Sequence, residues 1–438
     1  MTILRRWWLG LSGTLLLVSA GASAQLPGLP SPQLPSMGGM TGVTDRIGDA
    51  ATRTRDLVDP VTGRLDPLRA TAGQLAQARV ARLEALVRAN RDRLEMTEFG
   101  PAVRGEVLAV DPDPAALNAA LAAGFRQVAE ERIEGVDVRS VTLAVPRGWS
   151  VDRALSRLRR LAPSAQFTAN SLHEQSGVAD EAVGADALLA QVGGSGGGAA
   201  IGIVDGGAAA SPSLRGPVQQ RGFVTGAPRP SAHGTAIASL IAGQGPVRGA
   251  APGAPVLVAD IFGADPAGGN AMALARALGW MVGRGVRVVA VSLVGAANPL
   301  VERVVAQARA RGIWVVAAVG NDGRAAPPAF PASYPGVVAV TGVDGRGRVL
   351  IEAGRALHLD YAAPGADMGA AGLRGNVVAV RGTSFAVPLV AGRLAQHLRA
   401  TDVLASLDRE AAERGARGVG RGVVCDNCRT PVSNASRR

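Results

Sequence analysis

The chain has 438 residues, a formal charge of +11, 47% hydrophobic and 18% charged residues, which allows two domains with a sizeable core and excludes wholesale disorder. Its 46 basic residues are all arginines, spread through an Ala- and Gly-rich background, and aromatics are only 3%. That distribution argues against a nucleic-acid partner, which needs a clustered basic patch or stacking aromatics.

In chain order, MTILRRWWLGLSGTLLLVSAGASA places Arg5 and Arg6 before an apolar stretch and ends on Ala22-Ser23-Ala24, the order of a secretory signal peptide cut after Ala24. The apolar stretch is about 14 residues, short of the roughly 20 that span a bilayer. An exported protein, periplasmic or extracellular and free of the membrane once the signal is removed, is therefore expected. Residues 25–70 begin with the Pro/Gly/Ser-rich QLPGLPSPQLPSMGG and read as a low-order linker. A helical segment follows over 71–104, its apolar stripe carried by Ala76, Val80, Leu83 and Val87.

Residues 105–172 read as strand, helix, strand, strand, helix, strand, the split βαβ order of ferredoxin-like folds, which says nothing of function by itself. Residues 173–198 form a processing region that ends in the Gly-rich hinge VGGSGGG. From 199 to 428 continuous apolar strands such as AAIGIVD, PVLVADIFG and IWVVAAVGND alternate with helical patterns such as NAMALARALGWMVGRG. This texture predicts an α/β domain with a mostly parallel sheet covered by helices on both faces, with its site at the carboxyl ends of the strands. Residues 429–438 are left as a tail. The two cysteines, Cys425 and Cys428, are too few for a zinc site and are expected to form a local disulfide in an oxidising compartment.

Four residues at element ends carry the chemistry. Asp205 closes a strand before Gly206-Gly207, His233 opens the helix HGTAIASLIAG, Asn321 ends the strand IWVVAAVG, and Ser384 stands in RGTSFAVPLVAG beside a helix start fixed by Pro388. Singly, each fits a turn or a cap, and at Ser384 a cap and a nucleophile look alike. Together they supply what acyl transfer needs: a hydroxyl, an imidazole base, a carboxylate to orient it, and an amide donor for an oxyanion.

These motifs, VDGG, HGTAIASLIAG, GNDG and GTSFAVPLVAG, together with landmarks such as RGAAPGAPVLVADIFG, VVAVSLVG and YAAPG, resemble the subtilisin-like serine proteases (subtilases) over roughly residues 180–428. The order Asp, His, Ser is the one found in subtilisin. The resemblance implies a serine endopeptidase with Ser384 as nucleophile, His233 as base and acid, Asp205 as its orienter, and Asn321 with the Ser384 N–H as oxyanion donors. It implies a substrate-binding edge at Ser292, Leu293, Val294 and Gly295, faced by Ala318 and Gly320, with protein or peptide substrates. It also makes 105–172 a prodomain that assists folding and inhibits until cut between about Leu172 and Gly184. No cofactor is required; subtilases often bind structural calcium, for which no acidic loop can be assigned. The sequence departs from the family at Gly206, where Ser or Thr is usual, at Val294 in place of glycine, and at Phe385 and Leu389 in place of Met and His. Val294 is expected to crowd the cleft and select small residues. The competing reading is a protease-fold binding or regulatory module that retains its prodomain and turns over negligibly.

Overall fold

The computed structural model describes residues 70–176, 178–179, 188–190, 200–411 and 417–432. The expected signal peptide, the linker up to residue 69 and the Gly-rich hinge lie outside them.

Helix α1 (Ala72–Ala89) starts at a capping box in which the Thr71 side chain accepts from the Gln74 N–H and the Gln74 side chain accepts from the Thr71 N–H. The buried face coincides with the predicted stripe only in part, at Leu83 and Val87. Leu75 and Leu83 are buried while Val80 is 52% exposed, and Arg79 and Arg82 turn inward to carboxylates on other elements. Ion pairs therefore take up part of the inward face beside the apolar residues. The segment 71–104 is also not helical throughout: β1 (Leu94–Thr97) pairs antiparallel with the start of β2 (Gly100–Val110).

Beyond these come α2 (Pro114–Ala122), β3 (Arg126–Arg132), β4 (Arg139–Ala144), α3 (Val151–Leu161) and β5 (Gln166–Ser171). The antiparallel sheet runs β1-β2-β4-β3, with β5 also on β2, giving the ferredoxin-like order. Asp113 and Ser150 cap α2 and α3 through their side chains, and both helices bury one apolar face, including Leu155 and Leu158, on this sheet. The opposite side of the unit is closed by the larger domain. Leu108, Val110, Ile133, Val136 and Val138 belong to one apolar cluster with its helices.

The chain then continues as two short strands, β6 (His173–Gln175) and β7 (Val178–Ala179), in the region expected to be processed. The larger domain comprises β8 (Ile201–Asp205), β9 (Val218–Gly222), α4 (Ala232–Ala242), β10 (Val256–Asp260), α5 (Ala271–Gly283), β11 (Val288–Val291) and β12 (Leu293–Gly295). It goes on through α6 (Pro299–Ala310), β13 (Trp314–Ala318), β14 (Val338–Val343), β15 (Tyr361–Pro364), β16 (Met368–Ala371), β17 (Val377–Arg381), α7 (Ala386–Gln396) and α8 (Val403–Ala411). Seven strands form one parallel sheet in the order β15-β14-β13-β11-β8-β10-β9. Helices α4 and α7 cover one face and α5 and α6 the other, so β8, β10 and β11 are buried along their whole length. This is the subtilisin-like fold.

The two units meet along the starts of α5 and α6. Asn170 Oδ1 on β5 accepts the Met272 N–H, and Asn298, which caps α6, donates from Nδ2 to the Ala169 carbonyl and Ser171 Oγ. Gly279 of α5 lies so close to the turn after β3 that a Cβ there would stand 2.3 Å from the Glu134 carbonyl oxygen. The expected tail is packed where it is described, since the Thr430 carbonyl accepts from the Gly369 N–H and its hydroxyl accepts from the Arg248 N–H. Cys425 and Cys428 are joined as a disulfide.

Candidate active site

The site is built where β8, α4 and α7 converge. Ser384 sits in the single 3-10 turn Thr383–Phe385 ahead of α7, after Gly382, whose φ of 143° leaves room for no other residue type without strain. The cap question is decided here. Neither the turn nor α7 has a side-chain cap, and the Ser384 hydroxyl lies instead 3.0 Å from His233 Nε2. His233 Nδ1 is 2.9 and 3.0 Å from the two Asp205 carboxylate oxygens. Asp205 is fully buried at the end of β8, and its Oδ1 also accepts from the Gly206 N–H at 2.7 Å. A hydroxyl, an imidazole and a carboxylate held in this row can pass one proton from the serine to the histidine.

Neighbours fix each member. Ser231 caps α4 by accepting the Gly234 N–H, which sets the first turn that carries His233. A Cβ on Gly206 would stand 2.4 Å from Ser231 Oγ, a steric reason for glycine there. The Phe385 ring packs at 5.1 Å against the His233 ring, so the residue that departs from the family pattern walls the imidazole. Asp260, at the end of β10, accepts the N–H groups of Arg229, Phe262 and Gly263, and burial raises its pKa.

Asn321 follows Gly320, which is at φ 89°. Its Oδ1 accepts the Thr383 N–H at 2.9 Å, which leaves Nδ2 as the donor end, buried and without a partner in the protein. A buried orphan donor costs about 1–3 kcal/mol, so its retention beside Thr383 and Ser384 marks a place where an acceptor is to arrive.

The cleft is occupied by the chain itself. Strand β6 pairs antiparallel with β12 in the register His173 to Gly295, Glu174 to Val294 and Gln175 to Leu293. The Ser176 N–H and hydroxyl both donate to the Ser292 carbonyl, the Ser176 carbonyl accepts the Ser384 N–H at 3.2 Å, and β7 leaves along β17. Gln175 Nε2 donates to Asp205 Oδ1. The His173 ring is fully enclosed against Gly295, neither ring nitrogen has a hydrogen-bond partner, and burial pushes its pKa down to about 4.

Of the expected binding residues, Ser292 and Gly295 line this path, and Ser292 Oγ also donates to the Ser384 carbonyl. Val294 stands over Gly320, 3.5 Å from where a Cβ there would lie. Ala318 is a buried end of β13, and the Leu293 side chain is core, fully buried, so Leu293 offers only backbone to the cleft. Sequence reasoning missed Gln175, Ser176, Arg79, Arg82 and Asp322; of these only Asp322, inside GNDG, carried a local signal. Among the described residues no group of three or more His, Cys, Asp or Glu is placed to hold a metal ion.

Residues 196–411 match the subtilase family, peptidase S8. Subtilisin BL of Lederbergia lenta is 33% identical over 211 residues, 46% of this chain and 76% of that protein. The chain belongs to the subtilase family of serine endopeptidases. Alkaline elastase YaB of Bacillus sp. (strain YaB) is 33% identical over 177 residues, 39% of this chain and 46% of the relative. Fervidolysin from Fervidobacterium pennivorans, described as a keratinolytic enzyme related to subtilisin, shares the fold with a TM-score of 0.61 at 20% identity, over 76% of this chain and 62% of its own. The fervidolysin match extends beyond the span of the family match, so the likeness in fold includes part of the N-terminal half of this subtilase.

Proposed function

We propose that the protein is an exported serine endopeptidase, made as a precursor that cuts itself between Ser176 and Gly177 and is inhibited until then by residues 105–172. One observation carries the reading: the Ser176 carbonyl oxygen accepts the Ser384 N–H while the chain runs on each side along β12 and β17. That contact supports reading Ser176 as the residue whose carbonyl the Ser384 hydroxyl attacks.

In this mechanism Ser384 Oγ bonds to the carbonyl carbon as its proton passes to His233 Nε2. The charge that forms on oxygen is met by the Ser384 N–H and by Asn321 Nδ2, and Asp205 steadies the imidazolium. The carbon–nitrogen bond then breaks, His233 returns the proton to the leaving amine, and water releases the acyl group by the same steps in reverse. Serine as the residue whose carbonyl is attacked, with Val294 over Gly320, supports selectivity for small side chains at that position. Export rests on residues 1–24. Protein or peptide substrates follow from the same chemistry.

A fluorophosphonate probe tests the activated serine. Labelling of the wild type and none of Ser384→Ala or His233→Ala is expected. An unlabelled wild type would contradict the proposal and favour the module that keeps its cleft plugged.

A further inference from the structure

The ion pairs on the inward side of α1 have a consequence for what the released enzyme cuts. Arg82 Nη2 lies 3.1 Å from Glu174 Oε2 and 3.1 Å from Asp322 Oδ1. Arg79 Nε lies 3.2 Å from Asp322 Oδ2. The carboxylates of Glu174 and Asp322 share one guanidinium nitrogen, so they stand no further apart than two hydrogen-bond lengths. The site is half-buried, with the Asp322 side chain 15% exposed, and burial strengthens both the pairing and the repulsion it masks. Burial alone would lower the pKa of Arg82, and Glu174 and Asp322 more than offset it and raise it. The start of α1 rests on the same turn: a Cβ on Gly323 would stand 3.1 Å from the Ala72 carbonyl.

Glu174 is the third residue on the N-terminal side of the Ser176–Gly177 bond. Both arginines belong to the N-terminal unit and leave with it. Asp322 is then a carboxylate at the lip of the cleft, next to Asn321, and Val294, opposite Glu174 in the strand register, adds no charge. We infer that Asp322 is a specificity-determining residue of the released enzyme, selecting a basic side chain and rejecting an acidic one three residues before the cut bond. Glu174 is acceptable in the precursor because the precursor brings its own cation on α1; in trans the same segment is a poor substrate. This rests on the reading of 173–176 as bound in the manner of a substrate.

The test uses enzyme released from the full chain and two peptides, HEQSGVAD and its variant with arginine in the glutamate position, with Asp322→Asn enzyme alongside. The arginine peptide is expected to be cut at the Ser–Gly bond with a kcat/KM at least about fivefold higher, and Asp322→Asn to bring the ratio close to one. Equal rates with wild type, or a preference unchanged in Asp322→Asn, overturn the inference and leave the processing site intact. Cleavage of neither peptide at that bond by probe-reactive enzyme overturns the placement of the segment and the inference with it. In the full chain, Arg82→Ala is expected to slow loss of the precursor about fivefold and Glu174→Arg in the same chain to restore it. A helix that is merely damaged would not be rescued by a charge on another element, 92 residues away in the chain, so failure of that rescue also counts against the inference.

Discussion

The two sheets of this molecule are buried by different means. The seven parallel strands of the protease half have helices of their own on both faces, and β8, β10 and β11 read as unbroken apolar runs. The antiparallel sheet of the N-terminal unit has α2 and α3 on one side, while α1 covers Leu94 and Val103 and further cover, at Leu108 and Val110, comes from α5 and α6 of the protease half. The first can close its core alone, whereas the second is completed by docking. On the proposed function, a sheet that needs its partner's helices to finish its core would template those helices during folding.

The largest separation of the two halves is expected at the site. Asn321→Ala removes the orphan donor and should lower kcat about 10²- to 10³-fold without loosening the docked unit, measured by steady-state kinetics and by retention of the unit on gel filtration. Gly279→Ala should act with opposite signs on the two halves. It adds helix propensity to α5, about 0.5–1 kcal/mol for the released protease, but drives a methyl into the Glu134 carbonyl and should weaken docking by about 1–3 kcal/mol. Thermal melts of the released enzyme and dissociation of the cut unit read the two separately; equal shifts in both would break the comparison.

A smaller effect comes from pH. Docked, His173 has a pKa near 4 because it is buried; undocked it returns to an ordinary value of about 6.5. The undocked segment therefore binds the proton more tightly. Docking is at full strength above about pH 6.5 and weakens as pH falls from there toward 4, by up to about tenfold per unit. Activity regained by the cut complex at pH 5.5 against 7.5 measures this, and His173→Leu should flatten the profile.

Much of the fold could be read ahead because strand and helix periodicities are local. The strand order of 105–172 and the apolar runs of the protease sheet needed no long-range knowledge. Asp205, His233, Asn321 and Ser384 stood out because each ends or opens an element and carries a distinct chemical type. What stayed hidden depends on residues far apart in sequence. Apolar periodicity on α1 does not reveal that Arg82 also faces inward, because its partner Asp322 lies 240 residues away. β1 is a short strand that exists by pairing with β2, and the contact of Ser176 with Ser384 is invisible without the fold. The motif VSLVG offers Leu293 as a cleft residue, but strand alternation sends its side chain to the core.

The central claim is that the segment in the cleft is the molecule's own first substrate. Intact mass of the full chain after expression, wild type beside Ser384→Ala, tests it most directly. A wild-type protease beginning at Gly177 is expected, beside a mutant that keeps residues 105–172 attached. A wild type that stays joined across 176–177, or a mutant cut there equally well, would contradict it.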